Sequence, residues 1–153
     1  MSKKSKGCCY TAFYVLCCIA FIIYMYAVMH ITIISREPEN KRISIDLLYS
    51  YRQLFGEKNY FYFDMIFLNI AMLIPFGILV PIIFRKADNA LKVITTGFVF
   101  SLSIETMQYI TGRGLFELDD LLNNTIGSAF GYIILVILRK IFVKNSDSEQ
   151  KKT

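Results

Sequence analysis

Seven side chains in the second half of the chain are of types that bind ligands or move protons: Glu105, Gln108, Arg113, Asp119, Asp120, Asn123 and Asn124. An eighth, Asn69, lies upstream. Glu105 and Gln108 stand three residues apart, so a helix presents both on one side. Glu105 is the candidate catalytic group, as a general base, if the chain is an enzyme. Arg113 can grip a carboxylate or a phosphate through a two-pronged contact that Lys makes less well. Its nearest expected partner is Glu105, either as a pair that fixes the hairpin or as part of a binding or reactive site. Asp119 or Asp120 can cap the following helix, where a negative charge is favoured. The three carboxylates together with Asn123 could hold a divalent cation. Their spacing matches no standard metal motif, so neither a metal nor a cofactor is expected. The chain has no Gly-rich phosphate loop, no HExxH and no persuasive Ser-His-acid set. His30, the single histidine, reads as an interfacial residue.

The elements that must position these groups are apolar runs of membrane length. The composition is 55% hydrophobic, too apolar for an ordinary soluble domain. About 20 apolar residues suffice to span a bilayer. Four runs reach that length, within Cys8–Ile34, Met65–Phe84, Val93–Gly112 and Leu121–Leu138. The expected fold is all-α: a polytopic helical bundle with four transmembrane helices and a short amphipathic helix in the first outer loop. Residues 1–7 read as a cytoplasmic segment, 8–143 as the transmembrane domain and 144–153 as a disordered cytoplasmic tail. The basic residues before Cys8 resemble the start of a signal peptide, but the apolar run behind them is too long and lacks a small-residue exit. It reads as an uncleaved first span. Cys8, Cys9, Cys17 and Cys18 all fall in that run, without histidine at zinc-like spacing, and read as small reduced apolar side chains.

Basic residues set the expected orientation. Eleven of the 17 Lys and Arg lie in the amino-terminal segment, the loop between spans two and three, or the carboxyl tail; the other six lie in the two opposite loops. By the positive-inside rule both termini are cytoplasmic in a multi-pass protein of the cell membrane. The basic residues form no continuous stripe, which argues against nucleic acid as a partner.

In the first outer loop Ser44 can cap a helix with Asp46 in its first turn, and Gly56 can stop it. Leu47, Leu48, Tyr51, Leu54 and Phe55 fall on one face of that helix. It lies either flat on the membrane surface or over the mouth of the bundle as a lid. In the second span Pro75 removes an amide donor from the Ala71 carbonyl, and Gly77 leaves room for a close neighbour. Gly127 and Gly131, with Ser128 and Ala129 between them, predict close packing of the fourth span.

The polar groups are segregated by depth. Glu105 and Gln108 lie toward the outer end of span three, Arg113 at the turn, and Asp119, Asp120, Asn123 and Asn124 at the start of span four. Asn69 and Asp64 lie at the outer end of span two, His30 at that of span one. An ionisable group inside a span is costly and raises a functional hypothesis. The simplest arrangement is a polar cavity open to the outer leaflet.

With these residues the chain resembles the VanZ-like family of small membrane proteins, linked to resistance against teicoplanin-type glycopeptide antibiotics. The matching pattern is Asn69 followed by an apolar run into Pro75-x-Gly77, then Glu105-x-x-Gln108, Arg113, and Asp119, Asp120, Asn123, Asn124, Thr125, Gly127 and Gly131 leading through a glycine-rich span. The likeness covers roughly Met65 to Leu138 and, less distinctly, the first span and outer loop. It implies a polytopic protein of the cell envelope, surrounded by the lipid bilayer. Its partner would be a glycopeptide, a lipid head group or another envelope component. Two function classes follow. One is a non-enzymatic envelope protein that lowers drug action through an outward-facing polar site. The other is a small membrane enzyme or lipid-handling protein acting on a phosphorylated or carboxylated lipid.

Overall fold

The computed structural model describes the backbone of residues 3–38 and 43–150 and the side chains of 10–38 and 43–142. Lys41, Arg42, the Cys8 and Cys9 side chains and the basic side chains near both termini lie outside these. Helix α1 (Lys3–Met29) runs into a π-helical turn at His30–Ile34. A two-residue strand β1 (Ile43–Ser44), helix α2 (Tyr49–Gly56) and helix α3 (Phe61–Ile83) follow. After a single 3-10 turn come α4 (Ala90–Thr111), strand β2 (Phe116–Glu117) and α5 (Leu118–Gln150). Among the described residues four helical stretches are long and apolar enough to cross a membrane: Tyr10–Ile34, Phe61–Ile83, Ala90–Thr111 and Leu118–Phe142. The fold is an all-α bundle with one short amphipathic helix.

Local chemistry accounts for the boundaries. The Asn89 side chain caps α4 by accepting the Leu91 amide at 2.9 Å. Gly112, at φ 66°, ends it. The amides of Gly112 and Arg113 there return to the carbonyls of Tyr109 (3.3 Å) and Gln108 (3.0 Å), a Schellman closure that needs a left-handed residue. Backbone helix in α5 continues past the apolar span to Gln150, into the segment expected to be disordered. No Gly or Pro interrupts that segment, and extending a formed helix costs far less than nucleating one.

The expected start of the loop helix is corrected. Ser44 does not cap it but belongs to β1, which pairs in parallel with β2 (Ile43 with Phe116, Ser44 with Glu117). The helix begins at Tyr49, after Leu48 in a left-handed conformation at φ 67°. Asp46 forms an ion pair with Arg52 instead of occupying the first turn.

The centre of the bundle is the contact of α3 with α5, made backbone to backbone. A Cβ on Gly127 would lie 2.9 Å from the Ile70 carbonyl carbon, and one on Gly131 2.9 Å from the Gly77 Cα. A Cβ on Gly77 would lie 2.9 Å from the Ser128 carbonyl carbon. Small residues bring two helices into dispersion contact where lipid offers no hydrophobic driving force. Beside this seam Leu73, Phe76 and Val80 are buried, with Phe21, Tyr24 and Phe100 packed against them. The Phe76 and Phe100 rings stack with centroids 5.0 Å apart. Large apolar side chains left on the outside, such as Leu16, Ile22 and Ile23, suit a lipid surround.

Candidate functional site

Polar residues of four elements meet at one end of the bundle, where α1 and α4 finish and α3 and α5 begin. Along α4, Ser101, Glu105 and Gln108 recur at helical spacing on a single face, and all three are buried. On α5, Asp119, Asp120, Asn123 and Asn124 are buried in the first turns. Glu105, Asn123 and Asn124 are each 1% exposed, unusual for charged and amide side chains.

Each side chain has a traceable partner. Asn69 donates from Nδ2 to Asp120 Oδ1 at 2.6 Å, joining α3 to α5. Asn124 donates to Ser101 Oγ at 2.9 Å, joining α5 to α4. Glu105 Oε2 accepts the Glu117 amide at 3.0 Å and so holds β2. Gln108 donates to the Thr32 carbonyl at 3.0 Å. Asp119 accepts the amides of Leu48 (2.5 Å) and Ser50 (2.8 Å). It therefore caps α2 from another helix, a role that Leu48 cannot fill for itself. Tyr51 donates its hydroxyl to Asn123 Oδ1 at 2.5 Å. Burial, with the nearby Asp119 charge, pushes the Tyr51 hydroxyl up, so it stays protonated and a donor. These contacts seat α2 on the polar cluster, the lid arrangement of the two that the sequence allowed. Leu47 and Leu48, just before the helix, and Phe55 on it remain exposed.

Arg113 does not pair with Glu105. Its Nη1 donates to the carbonyl of Ile34 at 2.8 Å, with those of Arg36 (3.4 Å) and Ile33 (3.5 Å) nearby. The physical reason is the end of the first span. A helix leaves its last carbonyls without amide partners. Here the Ser35 amide reaches back five residues to the His30 carbonyl, and Gln108 and Arg113 satisfy the carbonyls beyond. The ion pairs among the described residues are Arg52–Asp46, with Arg52 on α2 and within reach of the Asp119 charge, and Arg139–Asp88, at the other end of the bundle.

A further cation beside the cluster is Arg36, which sequence reasoning counted only as a loop charge. Its Nη1 lies 2.9 Å from where a Gly114 Cβ would stand, against the Gln108 side chain. Its charge acts on Glu117, and it shares a cavity lining with Asp120. Burial pushes the Glu117 carboxyl above its ordinary range; Arg36 opposes this and Asp119 adds to it. Sequence reasoning also missed Ser101, although it stands one turn before Glu105. Asp64 and His30 are exposed and outside the network; His30 instead faces the Tyr26 ring with centroids 5.9 Å apart.

Two buried atoms, Asn123 Nδ2 and Asn124 Oδ1, have no hydrogen-bond partner among the described residues. An unsatisfied buried polar atom costs about 1–3 kcal/mol. Beside the network, a cavity of about 460 Å³ is lined by Arg36, Asn69, Asp120 and Thr32 together with apolar residues of the π-helical turn and α3. The three carboxylates do not form a chelating set, since each binds a different partner: Glu105 an amide of β2, Asp119 amides around the start of α2, and Asp120 the Asn69 amide. The arrangement is suited to holding a polar group by hydrogen bonds.

The fold and this network define a multi-pass helical membrane protein with a buried polar cluster at one end of its bundle. The family described as VanZ/LLP1 matches residues 11–139, and the chain belongs to it. No curated protein and no solved structure matches the chain.

Proposed function

We propose that the protein is a cell-envelope component whose polar cluster faces outward, binds an envelope ligand and lowers the action of teicoplanin-type glycopeptides. The observation that carries this reading is the pair of unpaired buried atoms, Asn123 Nδ2 and Asn124 Oδ1, inside an otherwise bonded network. Native proteins leave few such atoms, and a functional role, a bound polar group or stored strain accounts for those that remain. The eleven-to-six division of basic residues supports an orientation with both termini in the cytoplasm and the cluster on the far side. Glycopeptides act there, on cell-wall precursors.

The test is teicoplanin susceptibility of cells carrying the parent, Asn123→Ala or Glu105→Gln at equal membrane levels. Both variants are expected to lose protection. Parental protection by both would mean that the cluster is not the site.

A second reading, a small enzyme or lipid-handling protein acting on a phosphorylated or carboxylated lipid, is favoured by the partly apolar cavity beside Arg36 and Asp120. Comparing lipids and wall precursors in cells with the parent and with Glu105→Gln separates the two. Changed lipid chemistry supports the second reading, and lost protection with unchanged chemistry the first.

A further inference from the structure

The cavity between the end of the first span and α3 has two kinds of wall. Ile31, Met65, Leu68 and Met72 are apolar, and Ile31 and Leu68 are exposed on the flank of the bundle. A lipid chain could therefore enter from the side. The polar lining consists of Arg36, Thr32, Asn69 and Asp120. Asp120 is 8% exposed, and its Oδ1 is taken by Asn69. Arg36 is exposed and forms no ion pair among the described residues. Ala71, whose carbonyl loses its helical donor to Pro75, is also in the lining. An exposed cation with no ion pair among the described residues, a buried carboxylate and an apolar flank stand together.

We infer that this cavity binds a phospholipid whose headgroup carries a hydrogen-bond donor beyond the phosphate, an ammonium or a hydroxyl. The phosphate meets the Arg36 guanidinium, the planar donor best matched to phosphate oxygens. The headgroup donor meets Asp120. A headgroup with only negative charge would face the carboxylate unpaired; one with a phosphate but no donor would leave the carboxylate without its bond. The acyl chain lies along Leu68 and Met72. This site rests on the reading that the polar end of the bundle binds an envelope ligand, and it names the class of that ligand.

The full-length protein is placed in nanodiscs of equal parts phosphatidylethanolamine, phosphatidylglycerol and phosphatidylcholine, and the lipids it retains on release are counted by native mass spectrometry. The expected result is retention of the first two over phosphatidylcholine, which has a phosphate and no donor. Arg36→Gln, at an exposed position, should lower retention about tenfold. Asp120→Asn should remove the preference. Ala71→Leu, which narrows the cavity and leaves its polar side chains in place, should lower retention of all bound lipid and guards against misfolding of the Asp120 variant. Equal retention of the three lipids by the parent overturns the inference, as does parental retention by Arg36→Gln or by Ala71→Leu. The two proposals fail separately. No preference, with protection still lost in Glu105→Gln, removes the lipid site and leaves the binding cluster. Preference lost in Arg36→Gln with full protection keeps the lipid site and removes its link to the glycopeptide.

Discussion

Glu105 Oε2 accepts the backbone amide of Glu117, at 3.0 Å, and this contact closes the hairpin between α4 and α5 in place of an ion pair with Arg113. The consequence for variants is specific. Glu105→Gln keeps an acceptor oxygen and is expected to melt near the parental temperature. Glu105→Ala strands the Glu117 amide and should cost about 1–3 kcal/mol. The exchange Glu105→Arg with Arg113→Glu should be worse than either single change, because each residue loses a different partner. Thermal unfolding in detergent reads this out, and recovery toward the parent in the exchange would show that the two side chains do pair.

Asp119 should hold α2 in place. Its two bonds to the Leu48 and Ser50 amides are charge-assisted, and hydrogen bonds to charged groups contribute about 1.5–3 kcal/mol. Asp119→Ala is expected to speed hydrogen exchange at Leu48 and Ser50 while leaving α3 and α5 protected. Unchanged exchange at those amides would mean that α2 is seated by other contacts.

The two cases show what the sequence could and could not disclose. The spans were legible because length and hydropathy decide them, and the Gly127–Gly131 face because only small residues permit its contact with Ile70 and Ile74. The meeting of Asn69 with Asp120 followed from their common depth. Depth alone could not choose a partner for Arg113. That choice depends on a π-turn that presents the carbonyls of Thr32 to Ile34, and no residue type marks such a turn. Arg36 read as one loop charge among several, since nothing local shows that the chain folds it back against Gly114. The β1–β2 pair is two residues long and leaves no alternating pattern to detect.

Glycine positions should separate sharply. Gly127→Ala places a methyl against the Ile70 carbonyl, in backbone that cannot yield easily, and overpacking of this kind costs about 1–3 kcal/mol. Gly56→Ala meets nothing within 4 Å and should be close to neutral. Melting temperatures in one detergent compare them. Equal effects of the two changes would mean that α3 and α5 are not in backbone contact.

Glu117 should make stability depend on pH. Burial raises its carboxyl above the ordinary value of 4.5 in the folded protein. The folded state then holds a proton that the unfolded chain has released. The contribution is fully present below the ordinary value, and it is lost as pH rises from about 4.5 through the folded value. Glu117→Gln, which cannot ionise, should flatten that part of the stability profile. A parental slope in the variant would assign the dependence to another group.

Orientation decides whether the cluster can meet a ligand outside the cell. The outer assignment rests on basic residues: eleven at one set of loops and termini against six at the other. In a variant with Cys8, Cys9, Cys17 and Cys18 replaced by Ala, single cysteines at Glu57 and Asn145 report opposite sides. Glu57 is exposed beyond the end of α2, on the side of the polar cluster. Asn145 follows the last span. A membrane-impermeant maleimide added to intact cells should label the cysteine at 57, and that at 145 only after permeabilisation. The reverse pattern would turn Glu105, Asp120 and Arg36 toward the cytoplasm. A glycopeptide acting on wall precursors could not reach them there, and the ligand would have to be sought on the inner leaflet.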